Sequence, residues 1–349
     1  MKISILSLVV LLFLNSSCRD KTIKAEGIED FGVHLSSLKQ NNKLWTFLGG
    51  EFGRSIKVTS SKGNSLTWQK SYARLYVSKD NNKSFKVYSF GRGYINDTKF
   101  IDNKVFVFKL SEDFNTYSVF SFTNDKVWKH ETGFPQDVRD LFYIKGQYVA
   151  IVDSENIHHS LIYTSENKGK TWKVRDSTLS IQNPFIKNGF MYFLSSEEGD
   201  NDARKKIIGK YDFSSFTCKT YDLPVNFESD FLTYNDKRIN IIGKLNKHIA
   251  IFNMGNDNKF RLHYLDSENL NWSPDAAYNY KNSDWLLIGK IEGFSVAHRL
   301  LNISNGKTIK EKIEFSSLTP MNDYYFMRRN NKVSFVTHSY GGHFQQFDF

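Results

Sequence analysis

The sequence predicts an all-β protein: a seven-bladed β-propeller with four antiparallel strands per blade, six blades being the alternative count. Three observations predict it. A turn-then-strand motif recurs along the chain at a period in the forties. A second motif, a polar turn ending in an aromatic residue, recurs between copies of the first at matching spacing. No amphipathic stretch of helical period is long enough to suggest a helical protein.

The first motif is one or two turn-forming polar residues followed by alternating apolar ones. Its copies are NNKLWTFLG from Asn41, DNKVFVFKL from Asp102, KGQYVAIVD from Lys145 and KNGFMYFLS from Lys187. They continue with NDKRINIIG from Asn235, NSDWLLIGK from Asn282 and NNKVSFVTH from Asn330. The steps between first residues are 61, 43, 42, 48, 47 and 48. Units of this length, each entered through a hairpin-type turn, fit propeller blades better than a sandwich. The long first step reads as a loop insertion around SSKGNSLTWQKSYAR.

The second motif is clearest in SENKGKTW, Ser165 to Trp172, in the slot between the third and fourth strands of its unit. The same slot holds SKDNNKSF from Ser78, FTNDKVW from Phe122, YDFSSFTC from Tyr211, DSENLNW from Asp266 and ISNGKTI from Ile303. Short polar side chains bond the amides of their own turn, and Gly or Asn tolerates positive φ. The closing aromatic returns to the sheet and buries apolar area. SENKGKTW resembles the Asp-box, or BNR, repeat, Ser-x-Asp-x-Gly-x-Thr-Trp. Ser165, Gly169, Thr171 and Trp172 match it, with Asn167 in place of the aspartate; Ser78, Asp80 and Phe85 are the counterparts in the weaker SKDNNKSF. The resemblance implies a structural role at the outer blade edge, away from the ligand face, within a fold family that includes sialidases. The last unit ends at HFQQFDF without a fourth strand, and Phe31 to Leu38 are placed to supply it.

The N-terminus, MKISILSLVVLLFLNSSC, has a positive Lys2 and a twelve-residue apolar run from Ile3 to Leu14. That run is too short to span a membrane and reads as a secretory signal. Its ending resembles a bacterial lipoprotein signal, which implies lipidation at Cys18. Leu14 stands one position farther from the cysteine than in that pattern. The expected division is a signal peptide over 1–17, a linker over 18–29 and one propeller domain over 30–349. With Cys18 lipidated, only Cys218 remains, so the core forms without an internal disulfide; Cys218 reads as a buried strand thiol. The formal charge is +10, Lys2 leaving with the signal, and no run of five Lys and Arg occurs. Dispersed basicity of this kind argues against a nucleic-acid partner.

The sialidase resemblance implies an arginine cluster for a sugar carboxylate, an Arg-Ile-Pro-like motif, and a Tyr-Glu pair with an acid Asp. FGRS, Phe52 to Ser55, is the nearest first-blade match, but no Pro follows Arg54. Glu51, Asp137, Glu155, Glu197 and Glu198 fall in loops without an evident facing partner. His158 and His159 are adjacent, which in an extended strand points them apart, and EEGDND from Glu197 lacks calcium-loop spacing. No catalytic residue, metal site or cofactor is therefore assigned. The expected site is the axial face, with Phe52, Arg54, Arg92, Tyr94, Phe134, Arg139, His158, Tyr340 and His343 as candidate binding residues. The expectation is an exported, lipid-anchored, monomeric cell-envelope protein that binds an extracytoplasmic protein or glycan. A glycoside hydrolase of sialidase type is the alternative.

Overall fold

The computed structural model describes residues 21–22, 33–40, 46–59, 65–80, 86–102, 104–112, 116–123, 127–154, 159–198, 204–234, 238–268, 270–280, 283–292, 295–304, 307–317, 323–329, 332–338 and 344–348. After the short β1 (Lys21–Thr22), the chain lays down antiparallel four-stranded sheets in sequence order. The first holds β2 (Val33–Gln40), β3 (Thr46–Thr59), β4 (Ser65–Ser78) and β5 (Lys86–Arg92). The second holds β6 (Tyr94–Ile101), β7 (Lys104–Leu110), β8 (Tyr117–Thr123) and β9 (Val127–Glu131); the third holds β10 (Val138–Ile144), β11 (Gln147–Asp153), β12 (His159–Ser165) and β13 (Lys173–Leu179). The next two are β14 (Gln182–Lys187) to β17 (Thr217–Asp222), through β15 (Phe190–Glu198) and β16 (Arg204–Asp212), and β18 (Phe227–Tyr234) to β21 (Phe260–Leu265), through β19 (Ile239–Leu245) and β20 (His248–Met254). Then come β22 (Ser273–Tyr280), β23 (Ser283–Glu292), β24 (Ser295–Ser304) and β25 (Lys307–Ser317). β26 (Asp323–Arg329), β27 (Lys332–His338) and β28 (Phe344–Asp348) pair with β1.

The sheets stack face to face through apolar clusters that join neighbours. Phe106, Phe108, Leu141 and Tyr148 join the second sheet to the third. Ile151, Ile162, Met191 and Phe193 join the third to the fourth, and Ile208, Phe227, Ile241 and Phe252 the fourth to the fifth. The second strands, such as QYVAIVD, are buried almost throughout, because each lies between two sheets and has no wet face.

Three expectations are corrected. Seven blades, or six, were expected around the axis; of the seven four-stranded sheets, five, beginning with β6, β10, β14, β18 and β22, bring their innermost strand to the axial cavity among the described residues. The sheets at the two ends of the chain are described chiefly as paired strands flanking these five. Second, residues 33–40 do not complete the last sheet. They pair with β3 as an innermost strand, and the strand beside β28 is β1, with Lys21 opposite Gln346 and Thr22 opposite Gln345. Third, the long first repeat is no loop insertion. β3 and β4 form an unbroken ladder from Thr46–Ser78 to Thr59–Ser65, so the extra residues lengthen a hairpin.

The SENKGKTW turn closes on its own side chains. The buried Ser165 hydroxyl accepts the Gly169 amide at 2.8 Å and donates to Asn167 Oδ1 at 2.9 Å. That same oxygen accepts the Thr171 amide at 2.9 Å, while Asn167 Nδ2 donates to Thr171 Oγ1 at 2.8 Å. Gly169 has φ +87°, and a Cβ there would press on the Phe134 ring at 3.0 Å. Trp172 Nε1 donates to the Gly169 carbonyl at 3.1 Å, and its half-buried ring packs on Phe134. In the first sheet the buried Ser78 hydroxyl donates to Asp80 Oδ1 at 2.9 Å. Cys218 is half-buried rather than buried, because it sits on the outermost strand of its sheet.

Candidate functional site: the axial channel

A cavity of about 1070 Å³ is lined, among the described residues, by residues of first strands: Asp97 and Lys99 from β6, Arg139 and Asp140 from β10, Gln182 to Phe185 from β14, Leu232 to Tyr234 from β18 and Ala277 to Tyr280 from β22. A space walled by the first strand of successive blades is the axial channel. Side chains alternate along a strand, so Asp97 and Lys99, Leu232 and Tyr234, and Tyr278 and Tyr280 share faces two by two.

Each of these inner strands slips register by one residue. The slips lie between Ile95 and Asp97, Val138 and Asp140, Gln182 and Phe185, Ser229 and Phe231, and Pro274 and Ala276. A bulge re-aims the side chain it carries. Two bulged residues reach the next blade. Arg139 Nη2 donates to the Ile181 carbonyl, and Asn183 Nδ2 donates to the Asp230 carbonyl at 3.3 Å. Neighbouring inner strands are thus tied across the blade boundary near the channel.

The β6 and β10 side of the channel carries balanced charge. Lys99 Nζ lies 2.9 Å from Asp97 Oδ2 and 2.6 Å from Asp140 Oδ1. Arg139 pairs with Asp153 at 2.6 Å and stands 3.4 Å from Asp140. Burial pulls the Lys99 ammonium down, but the charges and hydrogen bonds of Asp97 and Asp140 outweigh it and hold the group above the ordinary lysine range. Among the lining residues two cations thus meet two carboxylates, and Asp153, outside the lining, is a third partner on Arg139.

The β14, β18 and β22 side is aromatic. Phe185 stacks on Tyr234 with ring centroids 4.4 Å apart and planes 7° from parallel. Tyr192 backs Phe185 at 5.6 Å and 15°. Tyr234 is 48% exposed, so the face turned away from Phe185 is open. On the adjacent inner strand Tyr278 and Tyr280 lie 6.4 Å apart and 19° from parallel. Between these two, Asn279 Nδ2 donates at 2.7 Å to the buried Asp284, which also accepts from Asn240 of the preceding blade and lies 3.4 Å from Arg238. This clasp fixes the end of β22 that carries both tyrosines.

Solved structures show the same architecture at very low sequence identity. The β-propeller domain of the Trilobed protease from Pyrococcus furiosus superposes with a TM-score of 0.59 at 8% identity, over 91% of this chain and 93% of that one. An acylaminoacyl peptidase from Pyrococcus horikoshii gives 0.58 at 10% identity, over 91% of this chain and 51% of its own. The likeness shows the fold alone. The chain spans about half the length of that peptidase. The Hadza microbial sialidase Hz136 is a distant neighbour, with a TM-score of 0.38 at 11% identity over 60% of this chain and 49% of that one. No family model matches the chain, and no curated protein matches it by sequence.

Within this propeller, and among the described residues, Arg139 of the nine expected at the axial face lines the channel. Arg92 is exposed at the end of β5, 3.7 Å from Glu112, and Tyr94 begins β6 half-buried. Phe134 is misplaced by the sequence reading: it packs on Trp172 at 5.0 Å and Phe106 at 5.9 Å, against the SENKGKTW turn. The chain after β9 drops between two sheets before it enters β10, with Gly133 against the Gly169 carbonyl. Phe52 and Arg54 lie on β3, described by its backbone; His158, Tyr340, His343, Phe85 and Cys18 lie outside the described residues. The sequence reading searched loops and missed Asp97, Lys99, Asp140, Phe185, Tyr234, Tyr278 and Tyr280. The signal available was the period-two placement of polar and aromatic residues along first strands, as in NDTK and AYNY.

Among the described residues, the carboxylates of the channel are held by cations. Asp97 and Asp140 each give an oxygen to the same Lys99, and a glycosidase needs one carboxyl free to act as acid and another facing it. Among the described residues the lining holds one arginine, Arg139, already engaged by Asp153, whereas carboxylate capture of the sialidase kind uses several that converge. No group of His, Cys, Asp and Glu suited to a metal ion occurs among the described residues.

Proposed function

We propose that this protein is a non-catalytic binding propeller whose ligand, an extracytoplasmic protein or glycan, is held at the axial channel. The observation that carries this reading is the channel itself, with an aromatic wall from β14, β18 and β22, open at Tyr234, opposite a charge-balanced wall from β6 and β10. Ligand sites combine apolar surface with a few placed polar groups in this way. The N-terminal pattern ending at Cys18 supports export and a lipid anchor in a bacterial envelope. The SENKGKTW turn serves as an Asp-box brace at the blade edge and takes no part in binding.

The test is retention of native envelope components on immobilised protein, compared with a Tyr234→Ala, Tyr278→Ala double variant, alongside a fluorogenic sialoside assay. The expected result is a retained component that the double variant loses, with no sialoside turnover. Equal retention by both proteins would place binding elsewhere, and turnover would make the protein an enzyme.

A further inference from the structure

We propose that the axial channel takes a neutral oligosaccharide, a ligand class that deepens the binding reading above and rests on it. The argument starts from the division of the channel into two chemically different walls. A pyranose ring has the complementary division: an apolar C–H face and an edge of hydroxyl groups. Aromatic ring faces carry a negative quadrupole that attracts polarised C–H groups, so a flat exposed tyrosine is a platform for a sugar face. Tyr234 offers one such face, because Phe185 covers only its back. The nearly parallel Tyr278 and Tyr280 extend the aromatic wall on the next inner strand. About 1070 Å³ is at the upper end of small-ligand sites, with room for more than one sugar unit.

The opposite wall decides between neutral and charged sugars. Each cation there already has carboxylate partners: Lys99 has Asp97 and Asp140, and Arg139 has Asp153. An acidic sugar would have to displace one of those carboxylates to gain a counter-charge, and it would meet the displaced group as a like charge. Hydroxyl groups carry no such penalty, since the remaining carboxylate lone pairs and the Gln182 amide both accept and orient them. An extended peptide fits less well. Peptide recognition relies on pockets for alternate side chains, whereas Tyr234 offers a flat ring face.

The experiment is calorimetric titration of the full-length protein and its Tyr234→Ala variant with maltohexaose, cellohexaose, mannohexaose, hexagalacturonate and a pool of random hexapeptides. A thermal melt of each protein shows that the variant folds. The expected result is binding of at least one neutral hexasaccharide, weakened about tenfold or more by Tyr234→Ala, a factor equivalent to about 1.4 kcal/mol. Hexagalacturonate should bind more weakly than its neutral counterparts. Tighter binding of hexagalacturonate or of the peptides, or neutral binding that Tyr234→Ala leaves unchanged, overturns the proposal. Failure of every neutral sugar also overturns it. In that case the channel as a binding site still stands if the retained envelope component is lost in the Tyr234→Ala, Tyr278→Ala variant, and it falls with the sugar if that component is kept.

Discussion

The ring of Tyr234 lies flat on that of Phe185, centroids 4.4 Å apart and planes 7° from parallel, and the two residues come from neighbouring blades. One stack therefore serves as both blade contact and channel wall. The halves of the stack differ in burial, Phe185 being 8% exposed and Tyr234 48%.

That difference predicts unequal costs. Phe185→Ala opens a cavity in the cluster shared with Tyr192, Ile208 and Phe227, and should cost about 3 kcal/mol. Tyr234→Ala loses chiefly the stacking contact, about 1 kcal/mol. Urea unfolding of the two variants measures both. Equal losses would mean that Tyr234 is a core residue and not a platform.

The SENKGKTW turn makes a second prediction, about which atoms hold it. Ser165→Ala leaves the buried Gly169 amide without its acceptor and should cost about 1–3 kcal/mol. Asn167→Ala, at an exposed position, should cost about 1 kcal/mol. Asn167→Asp keeps both acceptor contacts, to the Ser165 hydroxyl and the Thr171 amide, and Thr171 can turn its hydroxyl to donate. It should lie within about 0.5 kcal/mol of the parent. Thermal denaturation of the three variants gives the order, and a large loss in Asn167→Asp would contradict this account.

The turn was legible in the sequence because all its bonding partners lie within eight consecutive residues. Second strands were legible for a similar reason. Burial on both faces leaves an apolar run such as QYVAIVD, entered through a polar turn. First strands hide their role. They carry few residues on the core side, and a one-residue slip breaks their alternation at Asn96, Arg139, Asp230 and Asp275. Lys99 pairs with a residue 41 positions away, and Phe185 stacks on one from the next blade, so neither contact leaves a local trace. The closing strand was misread because β1 is two residues long, below any pattern that alternation can reveal.

A third prediction concerns the charged wall. Lys99→Met leaves Asp97 and Asp140 facing each other with only Arg139 beside Asp140, and should cost about 3 kcal/mol. Adding Asp140→Asn removes one stranded charge and should restore about half of that loss. The parent lysine sets the direction with pH. Its ammonium is held above the ordinary value of 10.5 by the two carboxylates, against the opposing pull of burial. Its contribution is therefore complete below that value and is lost as pH rises through the raised one. Urea midpoints at pH 7 and in alkaline buffer, for parent and Lys99→Met, should converge as pH rises.

Tyr148 supplies the last prediction, and it isolates burial from ion pairing. Its ring is enclosed between Phe106 at 5.8 Å and Tyr143 at 5.7 Å, and its hydroxyl meets no hydrogen-bond partner among the described residues. Burial, aided by Asp102, Tyr143 and Glu131, pushes its phenol up from 10.0 to about 12. Between those values the unfolded chain releases the proton while the folded chain keeps it. The unfolded state gains free energy from that release, so stability falls as pH rises across the window and is unaffected below it. Tyr148→Phe removes this share of the alkaline loss. At pH 7 the variant should equal the parent or exceed it by up to about 1 kcal/mol, because an unbonded buried hydroxyl is removed. From pH 10 towards pH 12 it should lose less stability than the parent in urea titrations. Parallel alkaline curves would mean that the Tyr148 hydroxyl is hydrated and ionises as freely as it does in the unfolded chain.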